Sequence, residues 1–520
     1  MFQFAHFLTQ NVSLHPDSLA LVFNGRELSW GELDRKANRL ANSFLSHGIH
    51  KGDVVAYLLR NRVEIVLTWW ATQKIGAIAQ PLNTFLLARE LATSLNASHC
   101  KALVFQDIKD YRSRVQEALA GVPSVGLRIV CDGKVESGEI SFSDFYAIGS
   151  SDAVEVSLTE DDGSLLLFTS GTTGMPKGVL RSHRVTRDYA LMLAIQNENV
   201  RVHEVLMTHC PLFHTAGMSM LLKAAVLAAP LVLVDGFDER EVLALIERYQ
   251  VTQLLLIPPV LYLRLRDAND GSFDLSCVKE AQCSGGTVTR DAIKAMHELF
   301  PQARFRFSWG STETCAPTSA TVPYEEIAAR PEICSSIGKL NTMVEMKLVN
   351  PETGKNVATG EVGEAHVRSS MVFSGYLHDE EKTRSALDED GWFKTADLLR
   401  EDDEGYYYLV GRTNDMIKSG GENVYASEVE KVVNSHPAVR ECAVIGVADK
   451  SFGEAVAIAV VLHDGCLLDA SGLSEFCQGR LANYKKPRYF AFIDELPRNS
   501  VGKLLKSVLR DMPEGFFTSF

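Results

Sequence analysis

Residues 165–178 read Leu-Leu-Leu-Phe-Thr-Ser-Gly-Thr-Thr-Gly-Met-Pro-Lys-Gly. The first four form an unbroken apolar run, the pattern of a strand buried on both faces. The next ten, Thr169–Gly178, hold three glycines, four hydroxyls and one lysine. Glycines let the backbone take positive φ angles and gather successive N–H groups into a concave nest. Hydroxyls add neutral donors, and Lys177 adds a mobile positive charge. A buried strand feeding such a loop is a polyphosphate grip; a plain surface turn would not need Lys and Pro at these places. It is not a Walker A loop, because no Gly-Lys-Ser/Thr follows at the required spacing.

The flanks alternate strand and helix. Leu19–Phe23, the Asn24-Gly25 turn and Glu27–Trp30 read as a hairpin, and Ser29 is placed to cap a helix whose stripe runs Leu33, Ala37, Leu40, Phe44 before Gly48. Short β-rich runs recur at Val54–Leu58, Ala102–Phe105, Leu231–Val234 and Gln253–Ile257. Such alternation predicts an α/β chain with parallel-type sheets. From about residue 340 the chain turns β-rich: Val344–Val349, a turn at 360–364, and Tyr406–Val410. Beyond Gly411-Arg412 a compact α+β segment is expected, with a helix over 427–435 and strands at Cys442–Ile445 and Ala455–Val461. The expected division is a large N-terminal domain over 1–411, a hinge at 412–416 and a small C-terminal domain over 417–520.

At 520 residues the chain is too long for one ordinary core. Its net charge of −14 argues against a general nucleic-acid binder, but not against a nucleotide substrate held by a few focused cations and amides. Ten cysteines without a Cys-x-x-Cys pair predict a reduced protein with neither disulfide framework nor structural zinc. The N-terminus lacks a signal-peptide pattern, and the apolar run Leu221–Val234 contains Lys223 and Pro230 and is too short to span a bilayer. A cytoplasmic protein without an integral membrane segment, monomeric or homodimeric, is therefore expected.

The glycine-rich segment resembles the signature loop of the adenylate-forming superfamily, which includes acyl- and aryl-CoA synthetases. Further family-like segments follow in the family's order: Pro211–His214, Cys283–Gly286, Ser308–Glu313, Gly391–Asp397, Gly411-Arg412 with Asp415–Asn423, and Pro497–Lys503. The resemblance implies an ATP-dependent acyl-CoA ligase with a mobile C-terminal domain. Such an enzyme converts a carboxylate to an acyl-adenylate with release of pyrophosphate, then transfers the acyl group to CoA. ATP, Mg²⁺ and CoA are the implied cofactors. A ligase that loads an acyl carrier protein would share the first step.

By the same resemblance, Thr169, Ser170, Gly171, Thr172, Thr173, Gly174 and Lys177 hold the ATP phosphates. Glu313 takes Mg²⁺, Thr312 sits beside the α-phosphate, and Gly310 and Ser311 complete that turn. Trp309 stands on the adenine where the family usually has Tyr, opposite the small residues Ser284, Gly285 and Gly286. Asp397 accepts from the ribose and Arg412 donates to ribose or phosphate. Lys503 lies over the α-phosphate during adenylation, with Lys506 as the competing candidate. His214 gates the passage between acyl pocket and thiol tunnel; Lys418, Ser419, Gly420 and Gly421 border that tunnel, and the basic run near Tyr484–Arg488 meets the CoA phosphates. No general base is required, because the nucleophile is already an anion; alignment and charge stabilisation carry the chemistry.

An amino-acid adenylating enzyme needs an aspartate near the His214 segment to pair the α-ammonium, and this chain has Phe213-His214-Thr215 there. The segments expected to line the acyl pocket, His209–Met220, Ile257–Val260, Cys283–Thr287 and Cys315–Thr318, offer small and apolar groups without a fixed charge. A neutral-tailed acid is the expected substrate, medium-chain aliphatic or aryl, with a betaine-like acid as the other option.

Overall fold

The computed structural model describes residues 3–169, 177–196, 204–284, 288–419, 422–498, 504–513 and 515–519. Two compact units are present: Met1–Glu345 with Val367–Phe393, and Met346–His366 with Lys394–Phe520.

The first unit is built on two sheets. One runs in the order Gly375–Tyr376, Lys177–Ser182, Gly163–Thr169, Ile78–Pro81, Val54–Leu58, Ala102–Gln106, Leu127–Cys131 and Ile140–Ser141. It is parallel from Gly163–Thr169 onward, and the strands that open with the apolar runs seen in the sequence are buried along their length. In the other sheet Leu206–Thr208, Gln253–Leu255, Glu280–Cys283 and Arg304–Trp309 are successive parallel neighbours. One hydrophobic core takes side chains from both sheets and from the helices Trp30–Ser46, Val63–Ile75 and Thr215–Leu227. Helix Val63–Ile75 shows why: apart from Glu64 and Lys74 every residue is buried, so it is stable only when surrounded.

The N-terminal hairpin forms as its turn chemistry requires. Asn24 and Gly25 take φ of 47° and 72°, the paired positive angles of a type I′ turn. Ser29 accepts from the Glu32 amide while the Glu32 carboxylate accepts from the Ser29 amide, closing a capping box on helix Trp30–Ser46.

The second unit contains an α+β core. Strand Gly453–Leu462 pairs antiparallel with Val439–Asp449 and parallel with Tyr489–Phe492. Its alternation sorts the side chains: Val456, Ile458 and Val460 pack with helices Ala426–Val433 and Ala470–Cys477, whereas Ala457, Ala459 and Val461 face Leu496 and Leu509. The strand expected at Cys442–Ile445 extends to Val439–Asp449 because its partner holds it in register out to Gly453, even where Arg440, Glu441 and Asp449 interrupt the apolar run. The α/β architecture with a smaller α+β C-terminal part agrees with the sequence reading.

Candidate active site

Four parallel strands of the first unit end at one edge of their sheet, and the chain leaves them toward His214, Pro258, Ser284 and Gly310. Ligands of open parallel sheets bind at the carboxyl ends of the strands, because loops from neighbouring strands converge there.

The turn after Trp309 is shaped by its own side chains. Ser311 Oγ accepts from the amides of Glu313 (3.2 Å) and Thr314 (3.3 Å), and Thr314 Oγ1 accepts from the Ser311 amide (3.1 Å). Gly310 is required: a Cβ there would lie 1.8 Å from the Cys315 carbonyl oxygen, and Cys315 itself holds φ 60°. The result projects Glu313 from a rigid loop.

Two contacts then fix Glu313. Its carbonyl accepts from the Phe373 amide (2.8 Å), and Oε1 accepts from the Tyr376 hydroxyl (3.1 Å). Burial, and then the Glu313 carboxylate, raise the Tyr376 hydroxyl far above its ordinary pKa, so it stays a donor. Lys177 Nζ stands 5.2 Å from the centroid of the Tyr376 ring. Thr169 and Lys177 face each other across the hairpin that the glycine-rich loop closes. One aromatic side chain thus links the end of that loop to the Glu313 turn.

The described residues fit Mg²⁺ in a particular way. No group of three or more His, Cys, Asp or Glu side chains among them could cage a metal. Mg²⁺ bound with substrate phosphates needs only one or two carboxylates, and Glu313 offers its second oxygen.

His214 stands at the N-cap position of helix Thr215–Leu227 without a side-chain cap; its amide donates to the Pro211 carbonyl (3.0 Å) and its ring tilts against Phe213 at 4.7 Å. Desolvation lowers its pKa to about 4, so the imidazole is neutral at physiological pH. His209 is held down to about 4 for the same reason; its Nε2 faces the Ile257 amide at 3.4 Å. Trp309 is buried at the end of its strand, opposite Thr318, and Ser284 follows strand Glu280–Cys283.

In the second unit, Asp397 and Arg412 are register partners in adjacent strands, with Arg412 Nε 2.9 Å from Asp397 Oδ1. Asp397 is buried and the Arg412 side chain half exposed. Lys418 is exposed and ion-paired with Glu352 (2.8 Å); its amide donates to Glu454, and Ser419 is buried beside it. Lys485 pairs with Glu428 at 2.7 Å, and Arg488 stacks 3.8 Å above the Phe452 ring. Lys506, the competitor to Lys503, is committed elsewhere: its Nζ lies 2.7 Å from Glu430, which also accepts from the Val444 amide. Lys503 itself, with Ser170, Gly171, Thr172, Thr173, Gly174, Gly285, Gly286, Gly420 and Gly421, lies outside the described residues.

Sequence reasoning missed Tyr376 and Arg181. Tyr376 falls in Phe373-Ser-Gly-Tyr-Leu377, a segment without a chemical signature of its own. Arg181 carried no reading from the sequence, yet it is almost fully buried and binds Thr312 and Thr215, so a fixed charge reaches segments expected to carry none.

Three histidines, His183, His209 and His214, are pushed by burial to about 4 from an ordinary 6.5. They stay neutral in the folded chain between those limits, while the unfolded chain takes up protons there. Folding stability is therefore untouched by them above pH 6.5, is lost progressively as pH falls from 6.5 toward 4, and levels off below. The urea midpoint should fall across that window, with a shallower slope in His183→Gln; an unaltered slope in the variant would contradict this assignment.

A family model described as AMP-binding enzyme matches residues 8–377, and one described as AMP-binding enzyme C-terminal domain matches 428–503. The 2-succinylbenzoate–CoA ligase of Bacillus licheniformis is 32% identical over 506 residues, 97% of this chain and 99% of that protein. A feruloyl-CoA synthase of Amycolatopsis sp is 32% identical over 498 residues, 96% of each chain. The solved structure of o-succinylbenzoate CoA synthetase from Bacillus subtilis with its acyl-adenylate intermediate superposes with TM-score 0.84 at 30% identity, over 98% of each chain. The same enzyme with ATP and magnesium ion gives 0.83 at 29%, over 97% of this chain and 99% of that one. The chain belongs to the AMP-binding enzyme family and is an ATP-dependent acyl-CoA ligase, an AMP-forming acid–thiol ligase.

Proposed function

We propose that the site activates an aryl or medium-chain aliphatic acid with an uncharged body, and that Lys177, Thr312, Glu313, Asp397, Arg412 and Lys503 carry the activation. The observation that carries the reading is the Lys177–Tyr376–Glu313 chain, which holds a cation and a carboxylate at the loop and turn where a polyphosphate grip is expected. The substrate carboxylate attacks the α-phosphorus of ATP, the bond to the bridging oxygen breaks, and pyrophosphate leaves. Bound Mg²⁺ supplies charge neutralisation for that leaving group. Lys177 and the amides and hydroxyls of Thr169–Gly174 bind the phosphates, Glu313 keeps its free oxygen aimed by virtue of Tyr376, and Asp397 with Arg412 receives the ribose. Trp309 with Ser284, Gly285 and Gly286 encloses the adenine.

In the second half-reaction the CoA thiol attacks the acyl carbonyl and AMP leaves. His214, neutral, gates by position and not by proton transfer. Lys418, Ser419, Gly420 and Gly421 border the thiol's path, and a hinge at 412–416 pivoting at Asn414 exchanges Lys503 for them. The single 3-10 turn Thr413–Asp415 between strands Tyr407–Arg412 and Met416–Ser419 supports such a pivot, since few backbone angles need change.

The aryl part of the reading draws on the relatives named for 2-succinylbenzoate, itself a dicarboxylate, and ferulate; the exclusion of amino acids draws on Phe213-His214-Thr215, which offers no acid to an α-ammonium. Pyrophosphate release with benzoate- and cinnamate-type acids and with hexanoate to decanoate should exceed that with any α-amino acid. CoA should be consumed far faster than an acyl carrier protein. Preferential turnover of an amino acid, or of the carrier, would overturn the reading. Lys503→Ala should slow acyl-adenylate formation by roughly 10²–10³, the scale for losing a transition-state charge partner. Thioester formation from supplied acyl-adenylate should stay near wild type; equal loss of both steps would remove Lys503 from this role.

A further inference from the structure

Arg181 is 1% exposed, on the strand Lys177–Ser182 that follows the glycine-rich loop. Its Nε and Nη2 both donate to the Thr312 carbonyl, at 3.1 and 2.6 Å, and Nη2 also donates to Thr215 Oγ1 at 3.1 Å. Its guanidinium carbon lies 5.8 Å from the centroid of the buried Tyr189 ring. Among the described residues its hydrogen-bond partners are thus a carbonyl and a hydroxyl, neither carrying charge. The adjoining residues 170–176 contain no acid either. A buried cation is normally matched by a carboxylate, because an unpaired charge in a dry interior is costly. The other buried cations of this unit follow that rule: Arg306 Nη2 lies 3.1 Å from Glu280, and Lys223 Nζ lies 2.6 Å from Gln253 Oε1 and 3.7 Å from the same glutamate.

What Arg181 joins is specific. Thr312 immediately precedes Glu313 on the Ser311–Thr314 turn, and Thr215 immediately follows His214 at the start of its helix. The planar fork spans two acceptors at once, which an ammonium on a flexible stem does not. Arg181 therefore ties the strand behind the phosphate loop to the Glu313 turn and to the head of the His214 helix. Its charge remains for an anion.

We propose that Arg181 is a positioning residue for adenylation, locking the Thr312–Glu313 turn against the His214 helix and drawing the anionic acid substrate toward that junction with its unneutralised charge. The inference rests on the reading of Glu313 and His214 as active-site residues. It bears on the substrate class: an ammonium close to the activated carboxylate is repelled.

Arg181→Met and Arg181→Lys separate the two contributions. Carboxylate-dependent ATP–pyrophosphate exchange gives kcat and the KM values for acid and Mg²⁺; thioester formation from supplied acyl-adenylate and thermal melting are measured alongside. Arg181→Met should lower the adenylation kcat by roughly 10- to 100-fold, the scale of a small misplacement of reacting groups. It should also raise KM for the acid, and leave the acyl-transfer step near wild type. Arg181→Lys should recover the acid KM, having kept the charge, but not kcat, having lost the fork. If Arg181→Met does not fold, the KM-against-kcat split of Arg181→Lys still decides the matter. Wild-type adenylation in Arg181→Met, equal loss of both half-reactions, or parallel recovery of kcat and KM in Arg181→Lys would overturn the inference. Glu313→Gln in the same assay tests the reading beneath it: full activity there sinks the site itself, whereas loss there with silent Arg181 variants sinks only this proposal.

Discussion

The hydrogen bond from Tyr376 to Glu313 joins residues 63 apart in the chain and two separate sheets. Tyr376 belongs to the short strand paired with Val179 and Leu180, on the sheet that carries the glycine-rich loop. Glu313 follows the last parallel strand of the other sheet. With the Phe373 amide on the Glu313 carbonyl, this contact holds one carboxylate oxygen, the other accepting no hydrogen bond among the described residues, and the same ring lies under Lys177. A carboxylate left to solvent would sample many orientations; a metal bridging to phosphates needs one. Preorganisation of this kind lets an active site stabilise charge without reorganising at the moment of reaction.

Charges at the two ends of the strands are treated differently. Near the amino ends, Lys223, Gln253, Glu280 and Arg306 pair with one another and with Glu204, Gln196 and Gln282. At the carboxyl ends, among the described residues, Arg181 donates to a carbonyl and a hydroxyl, and the Glu313 side chain accepts from a phenol. The first arrangement needs nothing from outside. On the proposed reading, an acid, a polyphosphate and Mg²⁺ would supply the anion and the cation that the second arrangement can take.

Much of this was readable from the chain. The apolar run Leu165–Phe168 specified a strand, which extends over Gly163–Thr169, and Asn24-Gly25 and Ser29 specified a turn and a cap through purely local rules. Tyr376 was silent because its role depends on pairing with a strand almost 200 residues earlier, and no local pattern encodes such a partner. Arg181 was silent for a related reason: only the fold shows that it is buried and that its hydrogen-bond partners among the described residues are Thr312 and Thr215. Between Lys503 and Lys506, the Gly502-Lys503 pattern favours the first, and the second is ion-paired with Glu430.

The most direct test of the account is the Mg²⁺ dependence of acid-dependent ATP–pyrophosphate exchange in Tyr376→Phe, which keeps the ring beneath Lys177 and deletes only the hydroxyl. Losing one hydrogen bond to a charged group should raise the half-saturating Mg²⁺ concentration by roughly ten-fold, at an unchanged melting temperature, with acyl transfer from supplied acyl-adenylate near wild type. An unchanged Mg²⁺ requirement in a folded Tyr376→Phe protein would contradict the claim that this hydroxyl holds Glu313 for the metal.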